Sequence, residues 1–225
     1  MGLSRKKRYL QIALNSTLGE AKKIISLLPP SEKILIEAGT PLIKKYGSQA
    51  IASIRLWWET RVFNLGFSPY IVADLKCMDR GKTEVEFAAK AGASAAVVLG
   101  QAPKETIEVF IKTCGIFGLD SMIDMMNVDE PVKVLRRLSF LPTAVILHRG
   151  VDEDVFNPDK PLPYAQINKI RSSFDCLISI AGGDSIREVQ RAVFNGADIV
   201  VVWKEFYQST QNIEEIAKAF LKEIK

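Results

Sequence analysis

Ile71-Val-Ala-Asp-Leu-Lys-Cys-Met-Asp-Arg-Gly-Lys-Thr83 opens as an apolar strand, sets Asp74, Lys76 and Asp79 within six residues, and leaves through Gly81 toward a helix. Residues two apart on a strand face the same side, so Asp74 and Lys76 are expected to share a face. Asp79 is expected just past the strand end, able to fold back toward them. Two carboxylates and an ammonium this close are costly to bury unless they pair with each other, a substrate or a metal. A solvated surface cluster is the alternative, since most ion pairs lie in solvent. The position at the carboxyl end of a strand favours a site.

Outward from that stretch, apolar runs and helix starts alternate. Strands are predicted at 9–14, 33–37, 70–75, 95–99, 119–125, 144–148, 176–180 and 198–202. Capping-box spacings at Thr17/Glu20, Thr83/Glu86 and Ser185/Glu188 open three of the helices between them. Residues 41–60 read as helix, in two pieces around Gly47, and residues 149–163, rich in Asp, Pro and Asn, read as a long loop that covers a site. Eight apolar strands, each followed by a helix over short connections, predict an α/β fold: a single (βα)8 TIM barrel spanning residues 1–225. An open doubly wound sheet is the alternative.

The composition suits that reading. The chain has 225 residues, 48% hydrophobic and 25% charged, with a net charge of +4. The charge gathers only in Arg5-Lys6-Lys7-Arg8, read as a solvated leader to the first strand, so no nucleic-acid polymer is expected as partner. No run approaches the ~20 apolar residues of a membrane span, and no signal peptide is recognised at the start. Three well-separated cysteines, Cys77, Cys114 and Cys176, point to a reducing setting. A soluble, cytoplasmic protein is expected.

In a barrel the chemistry gathers at the carboxyl ends of the strands. Those ends carry Asn15, Glu37, Asp74, Lys76, Asp79, Asn127 and His148, polar where the strands behind them are apolar. Glu37 and Asp74, on adjacent strands, are a candidate site for a hard divalent cation such as Mg2+, which needs few carboxylates and keeps positions for water or substrate oxygens. Lys76, held between carboxylates, is expected to stay protonated and to act as an acid or stabilise an enolate. His148, the only histidine, suits proton transfer near neutrality. Gly182 and Gly183 before the seventh helix, with Lys204 after the eighth strand, form a candidate phosphate-binding end. Asp184 would compete there for the same amides, or simply cap the helix.

Asp74-Leu-Lys-Cys-Met-Asp79 resembles the Asp-x-Lys-x-x-Asp motif of the orotidine 5'-phosphate decarboxylase superfamily. The similarity is closer to the 3-hexulose-6-phosphate synthases, including those fused in archaea to a formaldehyde-activating enzyme. Residues 36–43, 82–93, 98–100 and Asp124-Met-Met-Asn-Val128, with His148 and Ala181-Gly-Gly183, carry it along the whole chain. The resemblance implies a homodimer with shared active sites, in which Asp79 reaches the partner's site and Glu37 and Asp74 hold Mg2+. It implies an aldol step joining formaldehyde to the enediolate of ribulose 5-phosphate, with Lys76 neutralising charge, His148 moving protons and the seventh and eighth loops taking the phosphate. Three places depart from the family: Asn15 stands where it has an aspartate, Trp203-Lys204 where it has a glycine followed by a small residue or arginine, and Arg149-Gly150 with the loop that follows is unlike its usual sequence after the histidine. These departures keep open a sugar-phosphate or orotidine-type decarboxylase, or a non-catalytic homologue that binds phosphate ligands.

Overall fold

The computed structural model describes residues 2–208 and 212–225. Eight strands pair in chain order, all parallel, and the last closes on the first: Tyr9–Leu14 (β1), Ile34–Ala38 (β2), Ile71–Cys77 (β3), Ala95–Leu99 (β4), Asp120–Asp124 (β5), Ala144–His148 (β6), Leu177–Ala181 (β7) and Ile199–Val202 (β8). The helices are Leu18–Leu27 (α1), Thr40–Tyr46 (α2), Ser48–Val62 (α3), Gly81–Lys90 (α4), Lys104–Phe117 (α5), Pro131–Arg136 (α6), Val151–Phe156 (α7), Ala165–Arg171 (α8), Ile186–Phe194 (α9), Lys204–Gln208 (α10) and Ile213–Glu223 (α11). The predicted (βα)8 barrel is the fold, and each strand falls within two residues of its expected limits.

Strand parity explains the layering. Residues such as Leu35, Val72, Met122 and Ile146 point inward and pack together inside the barrel, and their alternates face the helices in a second, larger core. One step further along the inward parity stand Glu37, Asp74, Asp124 and His148. The apolar floor and the polar site are therefore successive layers of one register.

Helix starts were partly legible. Thr17 accepts from the Glu20 backbone N–H at 3.2 Å, and Ser185 and Glu188 form a full capping box. Gly47, at φ +60°, separates α2 from α3 as expected. Thr83, by contrast, caps nothing. The helix begins at Gly81, directly after a left-handed Arg80. A side chain at 81 would meet the Thr106 carbonyl at 2.8 Å, so glycine lets α4 start hard against α5. The expected loop at 149–163 contains the short helix α7, and α10 follows β8 at once.

The amino-terminal end of the barrel is plugged. Tyr70 Oη donates to Asp120 Oδ2 at 2.6 Å, the Leu3 N–H donates to the same oxygen at 3.1 Å, and Thr143 Oγ1 donates to Oδ1 at 3.2 Å. The basic run is solvated as expected, with Arg5, Lys6 and Lys7 exposed, and it is pinned by surface contacts. Arg5 pairs with Asp175 and donates to the Cys176 carbonyl, Lys7 bonds Glu32, and Arg8 donates to the Lys225 carbonyl at 2.8 Å. The three cysteines are free and buried, their thiols pushed up by burial to about 12 at Cys77 and Cys114 and about 11 at Cys176. Among the described residues no helix is long and apolar enough to cross a membrane.

Candidate active site

A cavity of about 500 Å³ opens at the carboxyl ends of the strands, and Asn15, Glu37, Asp74, Lys76, His148, Gly182 and Lys204 all line it. Asp79 and Gly183 do not. Asp79 is exposed and does not fold back: its carbonyl accepts from Cys77 Sγ at 3.1 Å, and the left-handed Arg80 then turns the chain into α4. Gly183 packs instead against Leu162 and Glu188, where a Cβ would lie 2.7 Å from Leu162 Cδ1. Asn127 also turns away, its carbonyl accepting from Gln101 Nε2.

The second carboxylate beside Lys76 comes from another strand. Lys76 Nζ stands 2.9 Å from Asp74 Oδ2 and 2.9 Å from Asp124 Oδ2, and His148 Nδ1 lies 2.8 Å from that same Asp124 oxygen. Asp124 Oδ1 accepts the Met126 N–H at 2.9 Å. A fifth strand running to Met125 puts Asn127 rather than Asp124 at its end, whereas β5 stops at Asp124. The available signal was parity: Met122 faces inward, so Asp124 must too. Lys76 reaches its place through an irregularity, since the pairing of β3 with β4 shifts register between Ala73 and Cys77 and Lys76 sits at φ +44°.

Charge in this cluster is locked. Burial opposes an ammonium at Lys76, yet Asp74 and Asp124 outweigh it and raise its pKa above the ordinary range. Burial likewise opposes a carboxylate at Asp124, but His148 and then Lys76 hold it well below the usual carboxylate range. His148 is penalised by burial and rescued by Asp124, leaving its pKa above the usual 6.5.

Glu37 behaves differently. Burial, and then the neighbouring charge of Asp74, push its carboxyl up to about 7, although Gln11 Nε2 donates to it. Asp74 Oδ1 and Gln11 Oε1 are buried without a hydrogen-bond partner. Orphaned oxygens beside a carboxyl that resists ionising are what a cation would relieve. Among the described residues no group of three or more His, Cys, Asp or Glu forms a metal cluster. Two carboxylates nevertheless fit Mg2+, which takes the rest of its shell from water and substrate.

The far end of the cavity is polar in another way. Gly182, at φ +94°, comes so close to the Arg149 carbonyl that a Cβ would lie 2.2 Å from it. The Trp203 and Lys204 N–H groups donate to Asp184 Oδ1 at 2.7 and 3.1 Å. Asp184 therefore caps α10 rather than its own helix. Arg149 NH2 lies 2.7 Å from Asp154 Oδ1 and donates to the Gly182 carbonyl at 2.9 Å, while Lys204 Nζ bonds Asp154 Oδ2. Asn15 is held nearby by an N–H bond to Tyr207 Oη at 3.1 Å, in space that Gly39 leaves open.

A family model described as "Orotidine 5'-phosphate decarboxylase / HUMPS family" matches residues 8–220. The chain belongs to this family. Within it, the chain is 38% identical over 219 residues to "Bifunctional enzyme Fae/Hps" of Methanothrix thermoacetophila, covering 96% of this chain and 53% of the relative. It is 41% identical over 183 residues to the protein of the same name from Methanocaldococcus jannaschii, covering 81% and 44%. The chain thus spans about half the length of the curated relatives it matches. The crystal structure of 3-hexulose-6-phosphate synthase from Salmonella typhimurium superposes with a TM-score of 0.81 at 25% identity, covering 96% of this chain and 99% of the synthase.

Proposed function

We propose that the chain is a sugar-phosphate aldolase of the 3-hexulose-6-phosphate synthase type, joining formaldehyde to C1 of ribulose 5-phosphate. The observation that carries this reading is the Asp74–Lys76–Asp124–His148 chain of contacts beside Glu37 in one cavity, supported by the names of the relatives. Mg2+ held by Glu37 and Asp74 would supply Lewis-acid polarisation of the substrate's carbonyl and hydroxyl oxygens. His148, fixed through Nδ1 by Asp124, takes the C1 proton and later returns a proton to the oxygen that was formaldehyde's. Lys76, held protonated, offsets negative charge as it develops on the sugar oxygens. Asp124 is never the proton acceptor, because its two partners keep it ionised. As part of the same proposal, Asp79 serves the cavity of a second copy in a homodimer, which accords with its exposure and its distance from its own cavity. Formaldehyde consumption with ribulose 5-phosphate and Mg2+ tests the reading, and no consumption where a known synthase is active would overturn it.

The Asp184 contacts favour one second reading, a family enzyme with a changed substrate. The amides of residues 203 and 204 already have an acceptor, so a substrate phosphate must be held by side chains. Turnover of a keto-acid sugar phosphate, with none of ribulose 5-phosphate, would support that alternative.

A further inference from the structure

Two cations, Arg149 and Lys204, face the end of the cavity away from Lys76, and one carboxylate touches both: Asp154 Oδ1 at Arg149 NH2, 2.7 Å, and Asp154 Oδ2 at Lys204 Nζ. Their other neighbours cannot leave easily. Asp184 is fixed by two backbone N–H groups. Glu188, 3.5 Å from Arg149, is tied into the capping box of α9. Arg149 itself is buried and anchored by the Lys160 and Gly182 carbonyls, with its Nε unpartnered. Asp154 alone rides on a detachable element. It sits on α7, a six-residue helix that buries none of its residues and leaves Val155 and Phe156 exposed, Phe156 by 85%. A helix without a buried face gains little stability from packing, so its ties are polar: Asp154 to the two cations, and Glu153 to Lys160.

We propose that Asp154 is a resident stand-in for the substrate's phosphate: it occupies Arg149 and Lys204 until a phosphate monoester displaces it, and α7 is released as the anion enters. This inference rests on the sugar-phosphate reading above. It assigns the phosphate to side-chain cations at the ends of β6 and β8 and makes Asp154 a specificity-determining residue. A phosphate presents more acceptor oxygens and more charge than one carboxylate, and can bond both cations at once. A neutral sugar cannot make that exchange. The device therefore sets a threshold that only phosphorylated ligands pass.

Calorimetry with inorganic phosphate on the wild type, Asp154→Asn and Lys204→Met tests it, with hydrogen exchange over residues 151–156. Because α7 buries nothing, the Asp154→Asn protein is expected to fold normally. It should bind phosphate about tenfold more tightly than wild type, and Lys204→Met should bind it about tenfold more weakly. Phosphate should speed amide exchange across 151–156 in the wild type. Equal or weaker binding by Asp154→Asn, no phosphate binding by any of the three, or slower exchange with phosphate would each overturn the latch. If Asp154→Asn binds phosphate more tightly but neither it nor the wild type turns over ribulose 5-phosphate, the latch stands and the aldolase reading fails.

Discussion

Asp124 Oδ2 meets both Lys76 and His148, so one oxygen fixes an ammonium and a ring at once. Replacing it with asparagine removes the charge that raises the His148 pKa and leaves the burial that lowers it. Neutral His148, the form that acts as base in the proposed reaction, then predominates from a lower pH. Asp124→Asn is expected to cut kcat by about 10²- to 10⁴-fold and to move the rising limb of the pH–rate profile downward; a limb that stays put or moves up would contradict the assigned pairing. Glu37 makes an independent prediction. Its carboxyl ionises near 7 in the fold, against 4.5 in the ordinary case, so the folded chain holds this proton more tightly. Stability should therefore fall as pH rises from about 4.5 to 7, by on the order of 3 kcal/mol from this group. His148, also raised, adds a loss in the same direction as pH climbs through its folded value. Denaturant unfolding at pH 5 and pH 8 should show the decline, with Mg2+ reducing it and Glu37→Gln removing the Glu37 share. Glu37, Asp74, Lys76 and His148 were legible because each ends an apolar strand. Asp124 was hidden by a strand limit drawn one residue too far. Arg149 stood out only as a departure from the family, and its pairing with Asp154 gave no sign, since ion pairs across a barrel mouth leave no trace in local spacing.

At the scale of elements, β3 departs most from ideal geometry, and it carries the central lysine. Its shifted register and the left-handed Lys76 aim the ammonium across the mouth toward β5 rather than straight up from its own strand. Asp79 is left outside because the same strand runs on to Cys77 and then turns directly into α4. Gly81 makes that turn possible. Gly81→Ala would press a methyl against the Thr106 carbonyl and Phe110, forcing α4 off α5. A loss of about 1–3 kcal/mol is expected in urea unfolding, and a neutral result would show that the two helices adjust freely. The eight strands were readable because each is a short apolar run between turn residues. α7 was not, because a helix with no buried side chain has no apolar period to detect.

At the scale of the whole molecule the two ends of the barrel have different tasks. The carboxyl end gathers charge around a cavity, and the amino end spends its polar groups on closure, with Tyr70 and Leu3 both donating to Asp120. Tyr70→Phe is expected to cost roughly 1–3 kcal/mol in thermal or urea unfolding while leaving kcat and KM unchanged. A fall in activity at unchanged stability would show that the plug communicates with the cavity.

Arg8, just before β1, donates to the main-chain carbonyl of Lys225, just after α11. The start of β1 and the end of α11 thus lie side by side on the face away from the cavity mouth. The barrel is nearly a ring, interrupted at a point that its chemistry never visits. A short bridge of glycine and serine could join Lys225 to the residues before β1, and the barrel could then be opened afresh at an exposed surface turn such as 64–66. Such a circular permutant should keep all eight strands in their places and leave the site intact.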